Sequence, residues 1–471
     1  MSAVSSSTNF ANVNNNGNAN NANASNSWVA VRPISKPFSL SVSAECKNER
    51  TFKEERKAFP RCLSTVNIAD DGDDYGQFAY KHRLFFFVTM GTLFDFASSV
   101  DALYNAFQKA KRGSDWKASV QRFEMNLLPN LVALSNELRS GTYYQSPFYE
   151  FELRERGKTR HIKSLHIRDR VVQRSVCDNI LVPALGKYLV YDNGASIANK
   201  GITFTRNRLQ CHLERFIRKY GLNGYVLQID YSKFFDNIRH DVLIGMIAKK
   251  LDDPFAMAVI EGLIKSFAIN TQHLSKEESE RLDNGILDTV RFLPNPHPKP
   301  GDRTIAKSLG IGSQISQIAG VFYLTPVDQY CKTVKACKYY GRYMDDIYII
   351  HEDKEFLKAV LKGITEISSK LGLHINPRKT HIRPLKHGLV FMQIRYNFTP
   401  TGHISKRIVA KKVIRERRKL KAYRRLLSSG KLSRREIANA YQSWRGNASK
   451  FNARRSVREM DKLYNKLFLE N

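Results

Sequence analysis

Asp345 and Asp346 stand side by side in Gly341-Arg342-Tyr343-Met344-Asp345-Asp346-Ile347-Tyr348-Ile349-Ile350, between apolar, β-favouring runs. On a regular strand neighbouring side chains point to opposite faces. Two consecutive carboxylates can therefore serve one site only where the chain turns, which predicts a hairpin with both at its tip. Such a pair is a cradle for Mg²⁺, which takes oxygen ligands and leaves room for water and phosphate. An ordinary Asp-bearing turn is the plain alternative. A third carboxylate, Asp230, closes the short apolar run Tyr225-Val226-Leu227-Gln228-Ile229, predicted to be a buried strand. Three converging carboxylates would repel unless they shared divalent cations, and a pair of such ions runs in-line phosphoryl displacement.

The chain that must position these acids is basic throughout. Its 471 residues carry 76 Lys plus Arg against 44 Asp plus Glu, a net charge of +32. That excess points to a polyanionic partner, with nucleic acid ahead of a membrane surface. No apolar run is long enough to span a bilayer and no signal peptide is legible, so no membrane partner is expected. Six scattered cysteines without a CxxC pair suggest neither zinc nor a disulfide framework, and fit reduced thiols in a cytoplasm.

Residues 1–35 are dominated by Asn, Ala and Ser and are expected to be disordered; 36–75 read as a linker. Helical spacing over 94–138 predicts two helices broken near Arg112-Gly113-Ser114-Asp115. A strand pair follows, with a basic turn at Glu155-Arg156-Gly157-Lys158, then a helix over 169–190 and another from His240. Residues 268–308 are polar and Pro-rich and read as an inserted loop. An apolar helix is expected from the Gly312 turn to about residue 330, an amphipathic helix over 356–371, and basic helices from Ser405 onward. Gly430 would end one of these, and Ser433-x-x-Glu436 is a capping box opening the next.

The order of Phe234-Phe235 after Asp230, the Gly-x-x-x-Ser turn at Gly312 and Ser316, and Tyr343-Met344-Asp345-Asp346 resembles the reverse transcriptases. Arg168-Asp169-Arg170-Val171-Val172-Gln173 is similar to a fingers motif of group II intron and related bacterial enzymes. Pro377-Arg378-Lys379-Thr380 resembles a palm motif, and Gly388-Leu389-Val390-Phe391-Met392 the primer grip, although the family has Leu-Gly where Met392-Gln393 stands here. The resemblance covers about 80–470. It implies an α/β (α+β) right-hand polymerase, with fingers at 76–224, a palm with an antiparallel sheet at 225–385 interrupted by the insertion, and a primer grip and basic helical thumb at 386–471. It further implies an RNA-directed DNA polymerase that copies template RNA through an RNA/DNA hybrid from dNTPs.

By the same resemblance two Mg²⁺ ions would be held by Asp230, Asp345, Asp346 and the Tyr231 backbone carbonyl. Phe235 would be the steric gate against a 2′-hydroxyl, unless it is a core residue beside Phe234. Lys158 and Arg160 would grip the triphosphate, unless Lys158 is a solvated hairpin charge. Lys379 would protonate departing pyrophosphate, while Ile311, Gly312, Gln317 and Tyr343 would border the substrate. Arg415, Arg417, Arg418 and Lys419 would track the template–primer backbone. Trp444 would be either a core anchor or a nucleic-acid contact.

Ile311 stands where most of the family has Gln, and Gln317 where most has Pro. Both resemble the reverse transcriptases of diversity-generating retroelements, which copy with errors opposite adenine and often act with a small basic accessory protein. Removing a polar contact beside the incoming nucleotide is a physical rationale for lower fidelity. The Asn-rich stretch, followed by Ser27-Trp28-Val29-Ala30-Val31-Arg32-Pro33, resembles a translated template repeat of such an element. A retron or phage-defence enzyme, or a non-catalytic maturase-like RNA-binding protein, is the alternative reading. The expected setting is the cytoplasm of a bacterial or phage-infected cell.

Overall fold

The structure, a computed structural model, describes residues 92–155, 158–289 and 301–470; the side chains of Glu155 and Lys158 also lie outside the described set. The Asn-rich segment, the linker, the first residues assigned to the fingers and much of the Pro-rich stretch fall outside it.

The first described region is helical: α1 (Leu93–Ala97), α2 (Val100–Ala110), α3 (Ala118–Met125) and α4 (Leu127–Arg139). A break does fall near Gly113, whose φ is +71°. Each expected helix is divided again, because Ser99 caps α2 by accepting from the Ala102 amide and Asn126 leaves helical geometry between α3 and α4. Helical spacing cannot see such divisions, since the apolar stripe runs on through them. Leu103, Phe107, Val120, Leu131 and Leu134 are buried in the main core, to which α5 (Ile167–Val176) contributes Val171 and Val172. A π-turn over Cys177–Leu181 and α6 (Val182–Gly186) complete this stretch, which ends before the predicted residue 190.

Between these helices β1 (Tyr149–Glu155) and β2 (Lys158–Ser164) form an antiparallel hairpin. After α7 (Ile202–Tyr220), β3 spans Tyr225–Ile229, the strand expected from sequence. Then come α8 (His240–Ala248) and α9 (Pro254–Lys265). The inserted segment is more than a loop. It contains β4 (Ile269–Asn270), α10 (Lys276–Asn284, capped by Ser275) and β5 (Thr304–Ile305), and Ile269, Leu287 and Ile305 bury a small core of their own. Three apolar residues so far apart in sequence leave no periodic signal.

The expected helix after Gly312 is split into α11 (Gln314–Tyr323) and α12 (Thr325–Gln329). Pro326 explains the break, as proline lacks the amide a continuous helix needs and fits only a first turn. Next are β6 (Tyr339–Tyr343), β7 (Asp346–His351), α13 (Lys354–Lys370) and β8 (His381–Pro384). Strands β6-β7-β3-β8 make one sheet in that order, with every pair antiparallel.

A second sheet, β9 (Leu389–Phe391), β10 (Ile394–Phe398) and β11 (Ile404–Ile408), precedes the basic helices. Residues 405–408, expected to be helical, are therefore part of a strand, because they pair with β10. Helices α14 (Ala410–Ser428), α15 (Arg434–Ser449) and α16 (Arg454–Phe468) pack around Leu420, Ile437, Tyr441, Met460 and Phe468. Trp444 stacks on Tyr441 within this bundle, its ring centroid 5.9 Å away. Among the described residues no helix is long and apolar enough to cross a membrane.

Both arms of the capping box at Ser433 and Glu436 are formed. Ser433→Ala is expected to cost about 1 kcal/mol, read as a lowered denaturation midpoint; an unchanged midpoint would show that α15 is held by packing alone.

Candidate active site

Register places the first two acids. Strand β3 pairs antiparallel with β7 so that Ile229 faces Ile347. The next positions outward are Asp230 and Asp346, and both line one open cavity of about 680 Å³. Asp345 is not in that lining. It occupies the loop of the β6–β7 hairpin, where Tyr343 pairs with Asp346 and leaves Met344 and Asp345 between them. Met344 has φ of +57° and Asp345 does not share that sign, the pattern of a II′ turn, whose first central position is normally glycine. The turn demanded by two adjacent carboxylates is there, with Asp345 in the loop and Asp346 opening the strand.

Asp230 is held on three sides by the segment after α13. Its carbonyl accepts from the Asn376 amide at 2.8 Å, and its amide donates to Thr380 Oγ1 at 3.3 Å. Lys379 Nζ donates to its carboxylate Oδ2 at 2.6 Å. Sequence reading did not single out Asn376 or a role for Thr380; the Asn-Pro turn signal at Asn376-Pro377 was the available clue. Tyr231 buries its ring and shares a 2.9 Å hydroxyl contact with Ser368, so any part it plays at the site falls to its backbone.

Among the described residues no group of three or more His, Cys, Asp or Glu is gathered as a metal site, and the cation beside Asp230 is the Lys379 ammonium. The chemistry of the donors nonetheless fits a hard divalent ion. Two carboxylates oppose each other across β3 and β7, a third is one residue away, and the donors are all oxygen.

Beneath the hairpin lies a residue that sequence reading passed over. Arg342 is fully buried. Its Nε donates to Asp328 Oδ1 at 2.8 Å, its Nη2 also reaches Asp328 and the Val321 carbonyl, and its Nη1 donates to the Met344 carbonyl at 2.9 Å. The Tyr340 hydroxyl donates to the same aspartate. Burial alone would lower the Arg342 pKa, but the Asp328 carboxylate outweighs it and holds the guanidinium above its ordinary value. An arginine within a run of tyrosines was the signal, because a charge on a buried strand must have a partner.

The other candidates sit around this centre. Phe235 is half-buried in a 3₁₀ turn, edge-on to Phe234, and a Cβ on Gly320 of α11 would come within 3.0 Å of its ring. Ile311 gives its carbonyl to the Lys163 amide at 3.1 Å, which ties the turn before α11 to β2. Gly312 has φ of +126°, and a Cβ there would lie 3.0 Å from the Lys163 carbonyl, so both conformation and space require glycine. Gln317 is exposed and lines a separate cavity of about 610 Å³ together with Gly312, Arg170 and Arg174. Arg160 is exposed on β2, and the Lys158 side chain lies outside the described residues. Tyr343, at the end of β6, is half-buried, which pushes its hydroxyl pKa up. The structure thus brings Asp230, Asp346 and Lys379 to one cavity and sets Gly312 and Gln317 at another.

Residues 153–392, just over half of the chain, match the family model for reverse transcriptase (RNA-dependent DNA polymerase). The chain belongs to the reverse transcriptase family. Similar proteins include two from Saccharomyces cerevisiae. The putative COX1/OXI3 intron 1 protein is 24% identical over 294 residues, which are 55% of this chain and 33% of the yeast protein. The putative COX1/OXI3 intron 2 protein is 23% identical over 306 residues, 57% of this chain and 34% of its own length. This reverse transcriptase chain spans about a third of the length of these relatives. Telomerase from Candida albicans, solved with a TWJ fragment of telomeric RNA, aligns with a TM-score of 0.39 at 13% identity over 56% of this chain and 46% of its own. Apo telomerase from Candida tropicalis aligns at 0.41 and 14%, over 56% and 49%. The family and the helix-rich fold with its antiparallel β6-β7-β3-β8 sheet are those of a right-hand polymerase.

Arg342→Met would leave Asp328 charged and buried without its partner, at an expected cost of about 3–5 kcal/mol in chemical denaturation. Adding Asp328→Leu is expected to recover most of that loss. Wild-type stability of the single variant would contradict the account of this pair.

Proposed function

We propose that this protein is an RNA-directed DNA polymerase that copies template RNA into cDNA by two-metal nucleotidyl transfer. The observation that carries the reading is the opposition of Asp230 and Asp346 across β3 and β7 at a cavity whose other walls include Arg378, Arg395, Lys411 and Arg415. Asp230, Asp345, Asp346 and the Tyr231 carbonyl are the proposed ligands of Mg²⁺. When bound, the two ions would supply activation of the attacking 3′-oxygen and charge neutralisation at the leaving pyrophosphate. Lys379 lines this cavity beside Asp230 and is the proposed proton donor to departing pyrophosphate. The basic wall suits the phosphates of an RNA/DNA hybrid, and binding of that kind weakens steeply with salt. Phe235 is the proposed steric gate, and Lys158 and Arg160 the triphosphate contacts, in fingers, palm and thumb bounded at 76–224, 225–385 and 386–471.

Within the family we assign the chain to the error-prone enzymes of diversity-generating retroelements, acting in the cytoplasm of a bacterial or phage-infected cell with a small basic accessory protein. Support comes from Ile311 and Gln317. Ile311 brings an aliphatic side chain to the turn before α11 and spends its carbonyl on Lys163, so its side chain has no polar group to offer an incoming dNTP. A second reading, an RNA-binding protein without polymerase activity, is favoured by the intron proteins among the relatives and by the lysine standing on Asp230.

Primer extension on an RNA template with Mg²⁺ separates the two. The Asp345→Ala, Asp346→Ala protein is expected to retain template affinity and make no cDNA; wild-type yield would overturn the polymerase assignment. Sequenced products are expected to carry errors concentrated at template adenines, reduced in Ile311→Gln. An error spectrum even across the four bases rejects the subclass and leaves the polymerase standing.

A further inference from the structure

The segment that follows Asp230 cannot satisfy all of its own polar groups. Asn237 is fully buried and Asp236 nearly so, in the 3₁₀ turn that begins at Phe235. Apart from the bond Asn237 Nδ2 donates to the Lys233 carbonyl at 2.9 Å, their partners come from the inserted segment. The Leu287 amide donates to Asn237 Oδ1 at 2.8 Å, and Asn237 Nδ2 donates back to the Leu287 carbonyl at 3.2 Å. Thr289 Oγ1 donates to Asp236 Oδ1 at 2.9 Å, and Lys233 pairs with Asp288 at 2.8 Å. The returning arm closes the other side. Leu309 donates its amide to the Phe235 carbonyl, Ser308 to that of Ile238, and the His240 amide donates to Ala306, each at 3.0 Å.

These bonds are directional and fall on the turn that bears Phe235, while Leu287 is anchored in the insertion's own core with Ile269 and Ile305. A solvated appendage would need none of them. Buried amide and carboxylate groups stripped of their partners would cost desolvation free energy in full, so insertion and turn must keep one fixed relation. We infer that the insertion is a brace, with Leu287, Asp288 and Thr289 as positioning residues, that fixes the Phe235 ring and so sets discrimination between deoxynucleoside and ribonucleoside triphosphates. This rests on the proposed gate role of Phe235. Exclusion by a ring is short-ranged, so a displacement of the turn well under the size of a hydroxyl is enough to admit the ribose.

The test is single-nucleotide extension by the full chain with dGTP and GTP, compared as a ratio of kcat/KM. Phe235→Ala is the reference, expected to lower the ratio by about 100-fold. Thr289→Val keeps shape and removes the hydroxyl bond; it is expected to lower the ratio by about 10-fold, mainly through faster GTP incorporation. Thr289→Ser restores the hydroxyl and the wild-type ratio. A purely structural role would reduce both nucleotides together and leave the ratio unmoved. Should Thr289→Val not yield folded protein, Asp288→Ala removes the ion pair to Lys233 and is expected to lower the ratio by about 3-fold. A shifted ratio in Phe235→Ala with wild-type ratios in the brace variants overturns the brace and spares the gate. An unshifted ratio in Phe235→Ala removes both.

Discussion

A guanidinium with no water around it holds up the acidic hairpin. Arg342 and Asp328 are both fully buried, and the pair occupies the space directly under the β6–β7 turn. Removing two charges from water is costly, and a buried pair offsets that cost only with good geometry and further hydrogen bonds. Here those bonds go to Tyr340, to the Val321 carbonyl of α11 and to the Met344 carbonyl of the turn. The pair therefore ties three parts of the fold to one point: the strand that leads into the turn, the helix behind it and the turn itself. An apolar core could fill the same volume, but it would not specify where the turn's carbonyl sits.

The opposition of Asp230 and Asp346 follows from strand register. Because side chains alternate along a strand, a slip of one residue would exchange the faces of the whole of β3. Val226, Leu227 and Ile229 are buried, and the strand is paired on both sides, by β7 and β8. Slippage would pull those apolar side chains from their packing on both faces at once. Beyond the last paired residue, Asn376 and Thr380 hold the Asp230 backbone where the ladder no longer does. Lys379 then sets a positive charge beside a carboxylate in a cavity that already faces the basic helix α14. These acids are thus a local negative charge in a chain whose net charge is +32.

Much of this was legible in the sequence, and the parts that were not share a reason. Tyr225–Ile229 is a short apolar run ending in Asp, and adjacent aspartates force a turn, so β3 and the hairpin could be read from local pattern. The same holds for α13 and for the Ser433 cap. Arg342 could be seen but its partner could not, because Asp328 lies on a different element and pairs only once α12 packs under the sheet. The insertion's contacts with Asp236 and Asn237 span about fifty residues of sequence and involve backbone groups that every residue carries. Residues 405–408 looked helical for their basic composition, yet edge-on pairing with β10 decided them. Local pattern reveals elements; the partners of buried polar groups are set by packing.

Three turns around the acidic cavity carry backbone strain, and each is held by a side-chain hydrogen bond. Lys233, Met344, Met392 and Gln393 all have positive φ without being glycine, a conformation that costs about 1–3 kcal/mol at each such residue. They lie just after Asp230, in the loop bearing Asp345, and in the β9–β10 turn at the cavity's edge. In each of the three turns a side chain donates to a strained residue's carbonyl: Asn237 to Lys233 at 2.9 Å, Arg342 to Met344 at 2.9 Å, and Arg206 to Met392 at 2.6 Å. The bonds from the two charged donors, Arg342 and Arg206, contribute about 1.5–3 kcal/mol each, the same size as the strain they oppose, and the neutral Asn237 amide about 0.5–1.5 kcal/mol. The three turns are thus held at fixed positions without glycine's freedom, and that freedom is what a site needing fixed carboxylates has to give up. Asn237, Arg342 and Arg206 belong to different elements, so the rigidity of the cavity's rim is a property of the packed fold and not of any one turn.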